Sequence, residues 1–132
     1  MRETLRRHVW TYLAVAIGGV LGCWARYAMT NLVQTIWGND FPYATLSINL
    51  LGAFLMGFLF VETLERLTIS PVFRTGILTG VLGGYTTFST FAMEMLLLVE
   101  QGEPGKAVLY AALSVGLGFL LTFFGAYIAR NL

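Results

Sequence analysis

Four long apolar runs, separated by three short polar connections, make up nearly all of the 132-residue chain. They fall at roughly 10–33, 44–62, 72–100 and 106–130. A helix that crosses a bilayer needs about 20 mostly apolar residues, and each run is near that length or longer. The connections carry turn and helix-boundary signals. The first is Gly38-Asn39-Asp40-Phe41-Pro42; the second runs from Glu62 to Pro71 and holds Glu65, Arg66 and Ser70; the third holds Gly102, Pro104 and Gly105. None is long enough to house a soluble catalytic domain. The pattern predicts one all-α integral membrane domain of four transmembrane helices.

The third run contains an anomaly, "LGGYTTFSTF" at 82–91. Glycine costs about 1 kcal/mol relative to alanine in a helix interior, and threonine is β-branched and loses rotamer freedom there. Gly83-Gly84-Tyr85-Thr86-Thr87 collects such residues near the expected bilayer centre, which predicts a helix broken over 83–87. Non-helical backbone at that depth must be enclosed by protein or line a water-filled cavity. Its freed carbonyls are natural cation ligands. Packing is the competing account, because Gly76, Gly80 and Gly84 form a small-residue ridge at four-residue spacing. The hydroxyls of Thr86, Thr87, Ser89 and Thr90 favour the break, since packing requires none of them.

Other polar positions inside the runs extend the picture. Phe88 and Phe91 share a helix face, with Glu94 and Met95 continuing it. Such rings ordinarily serve as core or meet lipid, but a ring also has a positive edge that can face an anion. Arg26 and Glu94 are ionisable and lie well inside their runs, a pattern that points to function; for Arg26, snorkelling to the interface is the alternative. Asn49, with Thr45 one turn before it, is either glue between helices or a donor to an anion. Tyr110, Ser114 and Thr122 form a slowly drifting hydroxyl stripe, with Gly118 filling the four-residue register. Single serines and threonines often bond only their own backbone. Together these groups are mostly uncharged donors. Conduction requires binding strong enough to admit an ion and weak enough to release it, so the chemistry points to a narrow, polar anion path.

Composition sharpens the class. The chain is 57% hydrophobic and only 11% charged, with a mean hydropathy of +0.73, whereas soluble domains are about a quarter charged. A net charge of +1 implies no large basic surface and no nucleic-acid partner. The single cysteine, Cys23, excludes an intrachain disulfide. His8 is the only histidine, and there is no CxxC, phosphate loop or paired-histidine motif, so no enzyme is expected. Arg2, Arg6 and Arg7 ahead of an apolar run resemble a signal peptide, and "VLGC" at 20–23 a lipoprotein site. The following "WARYAMTNLV" offers no polar mature domain, so a retained first helix is the simpler account. An even number of spans puts both termini on one side, with Arg2, Arg6, Arg7, Arg66, Arg74 and Arg130 there against Lys106 and Arg26 opposite. Six against two favours cytoplasmic termini.

"GGYTTFSTF" followed by Glu94 closely resembles the signature of the Fluc family of bacterial fluoride channels, also called CrcB proteins. The resemblance extends to "GCWARY" with Arg26, "INLLGAFLMG" with Asn49, and "YAALS" with Tyr110 and Ser114. It implies four-helix subunits paired antiparallel into a dimer, with the third helix broken at its centre. Two fluoride pathways would run along the subunit interface. A structural Na⁺ would sit on the two-fold axis, bound by the backbone carbonyls of Gly83 and Thr86 from each subunit. The pathway would be lined by Asn49, Phe88, Ser89, Thr90, Phe91, Tyr110, Ser114 and Thr122, with Arg26, Thr45 and Glu94 in a vestibule or supporting role. The implied activity is passive fluoride export across the bacterial cytoplasmic (inner) membrane, relieving fluoride toxicity. A homodimer is favoured; the charge bias leaves a heterodimer with a paralogue as the alternative. Where the family's track often has a further hydroxyl, this chain has Gly118. Rival functions are a small dimeric proton-coupled exporter, which would typically need an acid in the first span that this chain lacks, and a non-transporting structural subunit of a membrane complex.

Overall fold

The computed structural model describes residues 1–132, and every regular element in it is a helix. Helix α1 covers Arg2–Trp37 and α2 covers Tyr43–Arg66. The third span, Pro71–Glu100, divides into α3 (71–85) and α4, Ser89–Glu100. Helix α5 covers Pro104–Arg130. Each of the four spans is long and apolar enough to cross a membrane. At 1.5 Å per residue α1 is about 54 Å long, well beyond the ~30 Å hydrocarbon core, and its first turns hold Arg2, Arg6 and Arg7. The turns follow local chemistry. Gly38 closes α1 at φ 74°, where a side chain would be strained. Ser70 caps α3 by accepting from the Phe73 N–H at 3.2 Å, with Pro71 in the first turn.

The spans pair as α1 with α3 and α2 with α5, and both seams are built on glycine. The only buried residues of α1 are Gly18 and Gly22. A Cβ on Gly18 would collide with the Gly76 carbonyl, and one on Gly22 with the Val81 carbonyl. From the facing side, a Cβ on Gly80 would lie 3.0 Å from the Val15 carbonyl oxygen and one on Gly84 2.8 Å from that of Gly19. The ridge Gly76, Gly80, Gly84 is therefore the contact surface of α3 against α1. In the second seam Gly57 meets the Thr122 carbonyl and Gly125 the Phe54 carbonyl. Apolar driving force between helices is weak in lipid, so close backbone approach supplies dispersion contact instead. At the terminal end, Arg130 and Glu65 pair at 3.6 Å across α5 and α2. There too the Arg74 Nε donates to Thr63 Oγ1 at 3.0 Å.

The interruption of the third span lies later than the glycines suggested. Gly83 to Tyr85 stay helical, and residues 86–88 leave the helix, with Thr86 extended at φ −81°, ψ 159°. Helix α2 holds it there. The Asn49 side chain donates Nδ2–H to the Thr87 carbonyl and accepts the Thr87 N–H on Oδ1, both at 2.9 Å. Three residues along the same face, Gly52 leaves room for the Thr86 methyl, where a Cβ would overlap it. Only 22 of the 132 residues are buried, so broad apolar faces remain for lipid or a second subunit to cover.

Candidate functional site

The break leaves two sets of unbonded backbone groups facing each other along the chain. Thr87 N–H is the helical partner that the Gly83 carbonyl would have had, and it goes to Asn49 instead. No hydrogen bond from residues 86–88 ends on the Gly83 carbonyl, and none ends on that of Thr86. On the other side, the Phe88 N–H donates none, while Thr87 Oγ1 caps α4 by accepting the Thr90 N–H at 3.3 Å. A carbonyl-bearing helix end favours cations and an N–H-bearing one favours anions. The sequence-predicted carbonyls of Gly83 and Thr86 are both in the free set. Gly83 is exposed on the surface of the chain.

The hydroxyls of the motif form one cluster at the start of α4. Thr87 Oγ1 donates to Thr90 Oγ1 at 3.1 Å and lies 3.5 Å from Ser89 Oγ. Thr87 and Thr90 also line a cavity of about 650 Å³ between α1, α2 and α4. Arg26, Thr45 and Glu94 line the same cavity. Thr45, buried on α2 one turn before Asn49, donates its hydroxyl to Glu94 Oε1. Arg26 and Glu94 face this space without forming an ion pair; the Arg26 guanidinium approaches Cys23 Sγ at 3.8 Å. Sequence reasoning missed further members, Thr30 and Gln34 among them. With Arg26 they recur every four residues on α1, a polar stripe that was legible as a pattern.

Behind the cavity stands an aromatic group. Phe91 and Tyr110 meet edge to face at 4.9 Å between centroids, and Phe88 lies 5.6 Å from Phe91. Phe91 and Tyr110 are buried, whereas Phe88 is 78% exposed. Tyr110 has no exposed surface, yet its hydroxyl has no hydrogen-bond partner, and neither does the buried Ser114 hydroxyl one turn on. Unpaired buried polar groups are costly, so these two donors want an acceptor. Ser114 lies in a wider, π-type turn at Leu113–Leu117, a feature frequent at functional sites. Thr122 differs. Its hydroxyl is satisfied by the carbonyls of Ala53 and Gly118, each at 3.0 Å, in the α2–α5 seam away from the cavity.

A chain of this build is a multi-pass membrane protein whose third span is interrupted beside a polar cavity and unsatisfied buried donors. Comparison with known families gives that class a narrower address. The family model described as CrcB-like protein, Camphor Resistance (CrcB), matches residues 13–126, and the chain belongs to that family. A protein of Acidithiobacillus ferrooxidans named fluoride-specific ion channel FluC is 56% identical over 121 residues, covering 92% of this chain and 97% of its own. A protein of the same name from Legionella pneumophila is 42% identical, covering 90% of this chain and 89% of its own. One from Methylococcus capsulatus is 45% identical over 90% of this chain, which spans 52% of that longer relative.

Proposed function

We propose that the chain is a fluoride channel of the bacterial inner membrane that lets F⁻ leave the cell passively. The observation that carries this is the pair of buried, partnerless hydroxyls, Tyr110 and Ser114, in a chain 56% identical to a named fluoride-specific channel. Fluoride is small, strongly hydrated and a strong hydrogen-bond acceptor. Its passage requires donors that replace water without a fixed charge that would trap it. Beside the two hydroxyls, the ring edges of Phe88 and Phe91 and the hydroxyls of Ser89 and Thr90 would line the path. Asn49 and Thr122 are already engaged, so they contribute by holding the walls, with the remaining Asn49 N–H free to donate. Arg26, Thr45 and Glu94 would shape the vestibule. HF enters cells as the neutral acid and dissociates inside, and the negative-inside potential then drives the trapped anion out.

The working unit in this reading is an antiparallel dimer, a homodimer by preference. The exposure of Phe88 and Gly83 supports it, because both would otherwise face lipid. The freed carbonyls of Gly83 and Thr86 fit a sodium ion held between two subunits as a structural element. Side-chain ligands are not needed: no group of three His, Cys, Asp or Glu residues is placed to hold a metal. The deciding experiment is efflux from fluoride-loaded liposomes containing only the purified chain, read with a fluoride electrode. Fluoride release well above empty liposomes, independent of a proton gradient, is expected. Absence of release from folded protein sinks the channel, and release that needs a proton gradient favours an exporter.

A further inference from the structure

The connection between α1 and α2 contributes one buried residue, Phe41, at 8% exposure. It does not behave as turn punctuation. Its ring enters the cluster formed with Phe91, Leu98, Ala107 and Tyr110 on α4 and α5. It meets the Tyr110 ring edge to face, 5.6 Å between centroids at 66°. Phe91 meets the same ring at 75°. Tyr110 thus has two aromatic neighbours near a right angle to it, one from its own side of the bundle and one from a loop. Outward from Phe41 the rings continue through Tyr43 at 5.2 Å to Trp37 at 5.3 Å from Tyr43. Phe41 also lines the 650 Å³ cavity, whereas Tyr110 and Phe91 do not. It therefore stands between the cavity and the fully buried ring whose hydroxyl lacks a partner.

Edge-to-face pairs have a preferred geometry and are worth more than the area they bury. Two of them on one ring restrict its tilt, and the phenol oxygen at its tip moves with that tilt. We propose that Phe41 is a positioning residue: from the α1–α2 connection it fixes the Tyr110 ring and so aims the unpaired hydroxyl along the ion path. The functional half of this inference rests on the fluoride-channel reading; the geometric half does not.

The test uses Phe41→Leu, which keeps an apolar side chain and removes the ring, beside Phe41→Tyr, which keeps the ring. Liposome efflux should fall about fivefold for Phe41→Leu, the scale of losing one such pair, while Phe41→Tyr retains at least half the flux. In a Tyr110→Phe background, Phe41→Leu should cause no further loss. Unchanged flux for Phe41→Leu, or the same fold loss with and without the Tyr110 hydroxyl, overturns the proposal. A second readout needs no transport: 3-fluorotyrosine placed at position 110 and followed by ¹⁹F NMR in detergent. Its resonance should move with Phe41→Leu by more than the loss of the Phe41 ring current accounts for, and stay near the parent position with Phe41→Tyr. A resonance that ignores Phe41→Leu overturns the positioning role whatever the flux does. A moved resonance in a chain that releases no fluoride supports the positioning role and removes the channel reading alone.

Discussion

Asn49 shows how a single side chain sets the geometry of a membrane site. Its amide replaces two backbone partners at once, taking both the N–H and the carbonyl of Thr87. An asparagine is one of the few side chains that can do so, because it carries a donor and an acceptor on one planar group. Asn49→Leu would remove the partner of both Thr87 backbone groups. We expect a loss of roughly 2–4 kcal/mol, read as a lower melting temperature in detergent, together with lost flux. A melting curve unchanged by Asn49→Leu would show that the clamp is not what holds the break. The phenylalanines test the path more directly. Phe88→Ile and Phe91→Ile keep apolar bulk and remove the ring edge. Each should lower fluoride flux by about tenfold, a transition-state cost near 1.4 kcal/mol, with gel-filtration behaviour preserved. Wild-type flux in both would end the ring-edge assignment.

Among whole helices, glycine placement separates seams from lipid faces. Gly18 and Gly19 are adjacent on α1, yet a Cβ on Gly18 collides with α3 backbone and one on Gly19 meets nothing within 4 Å. Gly22→Ala should therefore cost about 1–3 kcal/mol through overpacking against the Val81 carbonyl. Gly19→Ala should stay within about 0.5 kcal/mol. Thermal melting of the two purified variants compares them, and equal stability would contradict the α1–α3 seam described here. The same logic explains why the glycines of α3 serve contact with α1 while the interruption sits just beyond them. Gly84 is needed against Gly19, and Thr87 is the residue whose backbone Asn49 of α2 holds.

For the molecule as a whole, the uneven distribution of charge bears on insertion. Arg66 and Arg130 are paired with Glu62 and Glu65, and Arg74 lies on Thr63 and over the Phe60 ring at 4.5 Å. Arg2, Arg6 and Arg7 have no such carboxylate pairs and occupy the part of α1 that outruns the bilayer. Changing those three to glutamine cuts the count from six against two to three against two. Orientation follows the Lys and Arg count near span ends, and an antiparallel homodimer needs both orientations, so any excess of one orientation over the other should shrink. Reporter fusions at the C-terminus, one active outside and one inside the cell, would measure it. Unaltered reporter ratios would mean that other features set the orientation.

The number and rough extent of the spans were legible in the sequence because a bilayer imposes a length on every apolar run. The hydroxyl cluster was legible for a related reason: polar groups at that depth stand out against lipid-soluble neighbours. For the third span the glycines alone fitted a packing ridge or a break, and the hydroxyls favoured a break over 83–87. The tertiary structure shows a ridge at Gly76, Gly80 and Gly84, followed by an interruption at 86–88. Its cause lies 38 residues away on α2, and no local propensity carries information about a partner at that distance. Glu94 likewise finds Thr45 across 49 residues. Phe41 reads as part of a turn until α4 and α5 close over it. Apolar length and motif chemistry belong to the sequence alone. Which buried donors are satisfied, and which are left without a partner, was decided only when the helices met.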